Sequence, residues 1–99
     1  MFLVREVFHC RPGKAGEVAK RFKQIEPVMH EMGFKGAQRV LTDMSGERYW
    51  TVVSEVEVDA VETYLDMTRK TMTDPRIQKV MQGYHDLVES GKREIYKIE

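Results

Sequence analysis

Apolar residues along this chain follow two spacings, and each change of spacing marks an element. The first run, Phe2-Leu3-Val4-Arg5-Glu6-Val7-Phe8-His9-Cys10, is almost continuously apolar, and the turn Arg11-Pro12-Gly13-Lys14 ends it. A strand wetted on one side alternates apolar with polar residues. This one sets Phe2, Val4 and Phe8 on one face and Leu3 and Val7 on the other, so it reads as a central strand covered on both sides. Past Pro12-Gly13 the spacing turns helical. Ala15, Val18, Ala19, Phe22, Ile25, Met29 and Met32 form one stripe, opposite Lys14, Glu17, Lys20, Arg21, Lys23 and Gln24. Pro27 removes a backbone donor inside that pattern and predicts a kink or brief break, and Gly33 is placed to cap the helix C-terminus.

Residues Gly36 to Met44 read as a second, less apolar strand, and Ser45-Gly46 as the turn into a third strand from Arg48 to Glu57. In that third strand Trp50, Val52 and Val56 share one face and Tyr49, Thr51 and Val53 the other. Strands one and three are thus the expected sheet centre, and strand two an edge. Asp59 with Glu62 has the spacing of a capping box, opening a helix with the inner stripe Val61, Tyr64, Leu65, Thr68 and Met72. Asp74-Pro75 supplies an N-cap followed by proline at the first helical position. Ile77, Val80, Met81, Tyr84, Leu87 and Val88 then recur at helical spacing until Gly91. Glu94 to Ile98 is a short last strand, its edge blunted by Lys97 and Glu99.

The order β-α-β-β-α-α-β predicts an α+β, ferredoxin-like sandwich: an antiparallel sheet of order 4-1-3-2, helices on one face, a single domain over residues 1–99. Crossover handedness is taken to make strands one and three parallel neighbours. Helices cover only one sheet face, yet strands one and three carry large apolar side chains on both. Leaving one set in water forfeits roughly 1.5–3 kcal/mol per side chain and exposes a contiguous apolar patch. A symmetric homodimer through the sheet faces removes that cost. The alternative is a monomer shielded by its own terminus or loop, for which no segment looks long enough.

Composition narrows the partners. Sixteen basic and sixteen acidic side chains cancel, leaving no global field to attract nucleic acid or an anionic membrane. RNA-recognition domains share the element order, but Arg48-Tyr49-Trp50-Thr51-Val52 lacks their basic-Gly-aromatic stacking pattern. No apolar run approaches membrane-spanning length, and Arg5 and Glu6 interrupt the first one too early for a signal peptide. The lone Cys10 excludes an internal disulfide and fits a reducing compartment, so a soluble cytoplasmic protein is expected. Seven methionines suit adaptable packing or a pocket for varied apolar ligands.

Three polar residues interrupt the first strand and require partners: Arg5 and His9 share a face with Leu3 and Val7, and Glu6 is on the other. One reading has Arg5 and His9 in a common cavity, fixing an anionic or enolisable ligand with His9 as general base. The other pairs Arg5 with Glu55 or Glu94 and leaves His9 in water at the strand end. Trp50 and Tyr49 either wall an aromatic pocket or anchor a core or interface. Tyr64 and His85 lie at the edges of their helical stripes, where a helix meets the rim of a cleft; the alternative is that both reach to solvent. His30 lies off its stripe and is expected to be solvated, and Tyr84, near the centre of its own, to be core. No metal site is expected: His9 and Cys10 adjoin on a strand and point to opposite faces, with no second Cys or close His pair. Cys10 has no histidine placed to activate it, and Pro12-Gly13-Lys14-Ala15-Gly16 lacks phosphate-loop spacing, so no cofactor is expected.

Taken with the element order, Arg11-Pro12-Gly13-Lys14 after the first strand, then Glu17 and Phe22, resemble the opening of the dimeric α/β-barrel superfamily. The likeness is closest to NIPSNAP-like and antibiotic-biosynthesis-monooxygenase-like small proteins. Asp74-Pro75-Arg76 and the following helix with Tyr84 are similar to their last helix. The resemblance implies a homodimeric barrel with a cleft in each subunit between helices and sheet. The functions it implies include cofactor-independent oxidation of polycyclic aromatics, heme degradation, and small-molecule isomerisation or cyclisation. Heme-degrading members carry an Asn on the first strand with a Trp and a His on the helices. This chain has no Asn, its only tryptophan, Trp50, is on a predicted strand, and Tyr64 and His85 do not reproduce that set. The missing Asn also counts against the aromatic-oxidising members. The expectation is a dimer binding a small, partly apolar organic molecule in a helix–sheet cleft. As an enzyme it would perform cofactor-independent oxygenation or proton transfer, with His9 or His85 as base, Arg5 as an electrostatic clamp, and Tyr64 and Trp50 as walls. Polar side chains converging on a roomy cavity favour the enzyme, and a cleft filled by Met67, Met72 and Met81 favours a binding or interaction module.

Overall fold

In a computed structural model describing residues 1–99, the elements run β1 (Phe2–Cys10), α1 (Ala15–Glu31), β2 (Gln38–Thr42), β3 (Thr51–Val58), α2 (Val61–Met72), α3 (Pro75–Val80), a 3-10 turn (Tyr84–Asp86) and β4 (Val88–Lys97). The sheet order is β2-β3-β1-β4, with every neighbouring pair antiparallel. This is the expected ferredoxin-like α+β sandwich with β1 and β3 at its centre. The direction expected for β1 and β3 is corrected, because they are antiparallel. The crossover through α1 relates β1 to β2, and the hairpin then reverses the chain into the gap between them.

Local chemistry explains most boundaries. Gly33 adopts φ 102, and its N–H donates to the His30 carbonyl at 3.0 Å, closing α1 where a C-terminal glycine was expected. Asp74 caps α3 by accepting the Arg76 N–H at 2.8 Å, with Pro75 opening the helix. α1 is not broken at Pro27; one lost donor does not outweigh an apolar stripe that continues past it. The Asp59–Glu62 capping box does not form, since Ala60 is the N-cap residue of α2 and no side chain caps it.

Three further boundaries differ from the sequence reading. β3 starts at Thr51, not Arg48, because Trp50 has φ 60, a left-handed conformation that an extended strand cannot continue. Asp43 closes the preceding loop by accepting the Thr51 N–H at 2.8 Å, so Tyr49 and Trp50 belong to a loop and not to a strand face. The apolar spacing through Leu87 is not one helix either. Gly83, at φ 79, turns the chain after Met81, and β4 begins at Val88, well before the expected Glu94. Gly91 therefore lies inside β4, opposite Phe8, where a Cβ would meet the Phe8 ring at 3.1 Å.

The helices cover the face carrying Phe2, Val4, Glu6, Phe8 and Cys10, and Leu3, Arg5, Val7 and His9 point outward. Under the helices the core forms two clusters. One gathers Cys10, Val18, Phe22, Ile25, Val52, Ile77 and Leu87, and the other Val4, Phe34, Val56, Val58 and Tyr64. Strand register explains the division. Between the rows Val4–Val56 and Phe8–Val52 lies the polar row Arg93–Glu6–Ser54, which no apolar side chain can seal. No helix is long and apolar enough to cross a membrane.

Candidate functional site

Where that polar row crosses the inner face, the helices stand away from the sheet and leave a cleft of about 430 Å³. Its apolar walls come from the first strand (Phe8), α1 (Phe22, Ile25, Met29) and the segment after it (Phe34), with Met72, Met81 and Tyr84 across from them. Phe8, Phe22 and Tyr84 pack as a group, the Phe8–Phe22 ring centroids 4.8 Å apart and the Phe8–Tyr84 rings edge-on at 6.0 Å. Tyr84 is thus half-buried and lines the cleft, where its stripe position predicted core.

The polar floor is ordered by register. Glu6 is the only acidic residue of β1, and its Oε1 accepts both the Tyr64 hydroxyl, at 3.2 Å, and the Arg93 Nε–H. The Arg93 guanidinium also sits over the Tyr64 ring, 5.7 Å from its centroid. Burial, and then the Glu6 carboxylate beside it, push the Tyr64 phenol up to about 12, so it stays a hydrogen-bond donor at neutral pH. The same carboxylate raises Arg93 by hydrogen bonding. On the β3 side Gln38 Nε2 donates to Ser54 Oγ at 2.5 Å, and the Gln38 backbone N–H donates to Glu26 at 2.9 Å. Desolvation raises Tyr84 to about 12 as well.

Of the five residues singled out in the sequence, Tyr64 and His85 line this cleft. Tyr64 is buried, and His85 is exposed at the rim, packed edge-on against Tyr84 at 5.4 Å. Arg5 and His9 lie on the outward face instead. Arg5 pairs with both of the carboxylates named as its partners, Glu55 at 2.9 Å and Glu94 at 3.1 Å. His9 has its Nδ1 buried without a hydrogen-bond partner, beside a second, polar hollow of about 320 Å³ under the loop that links β2 to β3. Trp50 is in neither cavity. It is 43% exposed at the end of that loop, held by its carbonyl, which accepts the Cys10 N–H at 2.8 Å. Arg5 and His9 thus share one hollow on the outward face, as one reading of the strand had it, while Tyr64 and His85 line the cleft on the other face of the sheet, so the five residues do not share one cavity within one chain.

Glu6 and Arg93, the ion pair of the cleft floor, are among the cleft residues that sequence reasoning did not assign. Glu6 carried a signal, a carboxylate on an otherwise apolar strand face. Arg93 carried none, because β4 was expected to begin one residue after it. His30 is exposed, as its position predicted, with Nε2 3.1 Å from the Gly36 carbonyl. Burial raises the Cys10 thiol, which opposes thiolate chemistry there. No group of three or more His, Cys, Asp or Glu side chains is arranged to hold a metal ion.

No protein-family model and no curated protein matches the sequence. Solved structures do match. A NIPSNAP family protein with unknown function from Agrobacterium tumefaciens superposes at a TM-score of 0.80 and 15% identity, covering 99% of this chain and 87% of its own. An uncharacterized NIPSNAP domain protein from Burkholderia xenovorans gives 0.78 at 16% identity over 100% of this chain and 95% of its own. SnoaB, a cofactor-independent oxygenase from Streptomyces nogalater, gives 0.62 at 12% identity over 99% and 92%. The chain thus has the fold of NIPSNAP family proteins and of antibiotic biosynthesis monooxygenases, the two groups that its sequence pattern resembles.

Proposed function

We propose that this protein binds a small, partly apolar organic molecule in the cleft between its helices and sheet, and that two copies associate through their outward sheet faces. The observation that carries the first part is the cleft itself, an aromatic- and methionine-walled space of about 430 Å³ over a hydrogen-bonded polar floor. Met72 and Met81 line the space without filling it. The second part is supported by Leu3 and Val53, half-buried on the outward face, and by Leu41 and Tyr96 beside them, 39% and 50% exposed. A lone, buried, unpaired Cys10 suits a reducing compartment such as the cytoplasm.

A catalytic reading, cofactor-independent oxygenation or proton transfer, is favoured by one specific feature. Two titratable groups, Glu6 and His85, line the same cleft as the Tyr64 phenol. SnoaB supports it by analogy of fold only. In that reading His85, at the rim, is the candidate base among the residues singled out from sequence, with Glu6 as a second titratable group on the cleft floor, and Arg5 and His9 serve the outward face.

Native mass spectrometry of the purified protein tests both parts together. Dimers retaining a small organic molecule are expected, and Leu3→Glu should convert them to monomers. A monomeric wild type at micromolar concentration overturns the dimer. If the retained molecule binds Met81→Trp, with its cleft obstructed, as tightly as wild type, the cleft is not its site.

A further inference from the structure

The polar floor of the cleft is unevenly used, and the imbalance points to a ligand class. Glu6 Oε1 takes two donors, Tyr64 Oη and Arg93 Nε, while Oε2 has no hydrogen-bond partner. Both donors hold the carboxylate in place, so the free oxygen is a pre-oriented acceptor. No group of the floor donates to it in the structure. Ser54, its cross-strand neighbour, accepts from Gln38 Nε2 and makes no hydrogen bond to Glu6, and the hydroxyls of Thr68 and Thr71 donate back to the Tyr64 and Met67 carbonyls of their own helix. The charged groups lining the cleft are Glu6, Glu26 and Arg93, so with His85 neutral its net charge is negative. Arg93 is the one cation, and it is the shallower partner: its side chain is 39% exposed against 18% for Glu6.

From this arrangement we infer that the cleft selects an uncharged, largely apolar molecule carrying a hydrogen-bond donor, a hydroxyl or N–H that binds Glu6 Oε2, and discriminates against carboxylates and phosphates of the same size. The inference rests on the cleft being a ligand site and adds which end of the ligand the protein reads. An anion at Glu6 Oε2 faces a carboxylate whose cationic partner, Arg93, already donates its Nε–H to Oε1. A donor gains a hydrogen bond to a carboxylate oxygen.

Three probes with one apolar body separate the two layers of the claim: naphthalene, 2-naphthol and 2-naphthoate, measured by equilibrium dialysis against the wild-type protein and Glu6→Gln. On wild type, 2-naphthol should bind roughly tenfold or more tightly than naphthalene and than 2-naphthoate, the ratio expected of a charge-assisted hydrogen bond. In Glu6→Gln the advantage of 2-naphthol over 2-naphthoate should fall by a similar factor. Equal binding of all three, or a preference for 2-naphthoate, overturns the acceptor assignment and leaves the cleft as a ligand site. Absence of binding by every probe removes the ligand site and the assignment with it. The wild-type ratios decide the matter even where the variant folds poorly.

Discussion

Two cross-strand rows, one residue apart in sequence, cross this sheet on opposite faces and behave differently. On the outward face Arg39, Glu55, Arg5 and Glu94 stand side by side on β2, β3, β1 and β4, alternating in sign across all four strands. Every neighbour is paired: Arg39–Glu55 at 2.6 Å, Glu55–Arg5 at 2.9 Å, Arg5–Glu94 at 3.1 Å, with Lys92 adding to Glu94 at 3.3 Å. On the inward face the row Ser54–Glu6–Arg93 ends at Val40, so its alternation is incomplete and one carboxylate oxygen is unused. The closed row carries Glu55, only 8% exposed, without an unpaired charge. The open row holds a carboxylate beneath a cavity. A ladder whose charges are all paired builds structure, and an unfinished one leaves chemistry available to a ligand.

Breaking the closed row should have the largest effect. Glu55→Ala leaves two guanidinium groups adjacent with their shared anion gone. It should cost about 3 kcal/mol in urea unfolding, the low end of the range for uncovering a buried pair, because Arg39 remains in water. A loss below about 1 kcal/mol would show that the outward ladder does not hold the sheet. Crowding the cleft beside the open row comes next. Gly91→Val places new atoms against the Phe8 ring, which walls the cleft, and should cost about 2 kcal/mol as overpacking while reducing naphthalene affinity. Unchanged affinity would mean that Phe8 does not shape the space a ligand uses.

Tyr64→Phe sharpens the comparison. It removes one of two donors to Glu6 and should cost about 1 kcal/mol, the net value of a hydrogen bond. The same variant tests the alkaline limit of stability. Tyr64 titrates at about 12 in the folded protein, above the ordinary phenol value of about 10, so its contribution is whole below pH 10 and is lost as pH climbs toward 12. Tyr84 behaves alike, at about 12. Unfolding followed over that window should therefore show a shallower decline in Tyr64→Phe than in wild type, and an identical slope would remove the phenol from the account. Smallest is the exposed pair Arg48–Glu89, 3.4 Å apart at the loop, where Arg48→Ala should change stability by less than about 0.5 kcal/mol. A larger loss would make that loop part of the outward face's support.

Legibility in the sequence followed the range of the interactions involved. Elements set by local chemistry were readable: the two-faced apolar run of β1, the α1 stripe ended by Gly33, and the Asp74-Pro75 start of α3. Arg5 was readable too, since a guanidinium on a buried strand must meet carboxylates, and Glu55 and Glu94 were the ones within reach. Positions where helical spacing coincides with something else misled. Tyr84, Leu87 and Val88 keep an apolar period through a turn and into a strand, because burial on one side of a turn and burial on one side of a helix place side chains at similar intervals. Tyr49 and Trp50 resemble strand residues in type, and only the left-handed backbone at Trp50 removes them from β3.

Apolar spacing, turn residues and chain order were enough to determine the ferredoxin-like architecture, the central place of β1 and β3, and the presence of a polar residue on each face of β1. These depend on patterns within a few residues and on rules of connection that hold for any chain. Which of those polar residues closes a ladder and which opens a site was decided only by tertiary structure. That outcome depends on strand register, which brings Arg93 and Ser54 to Glu6 and Glu55 and Glu94 to Arg5. It depends also on the placement of α2, which lowers Tyr64 onto Glu6 from far along the chain. A shift of one residue in either strand pairing would exchange the two faces, and no local pattern records that choice.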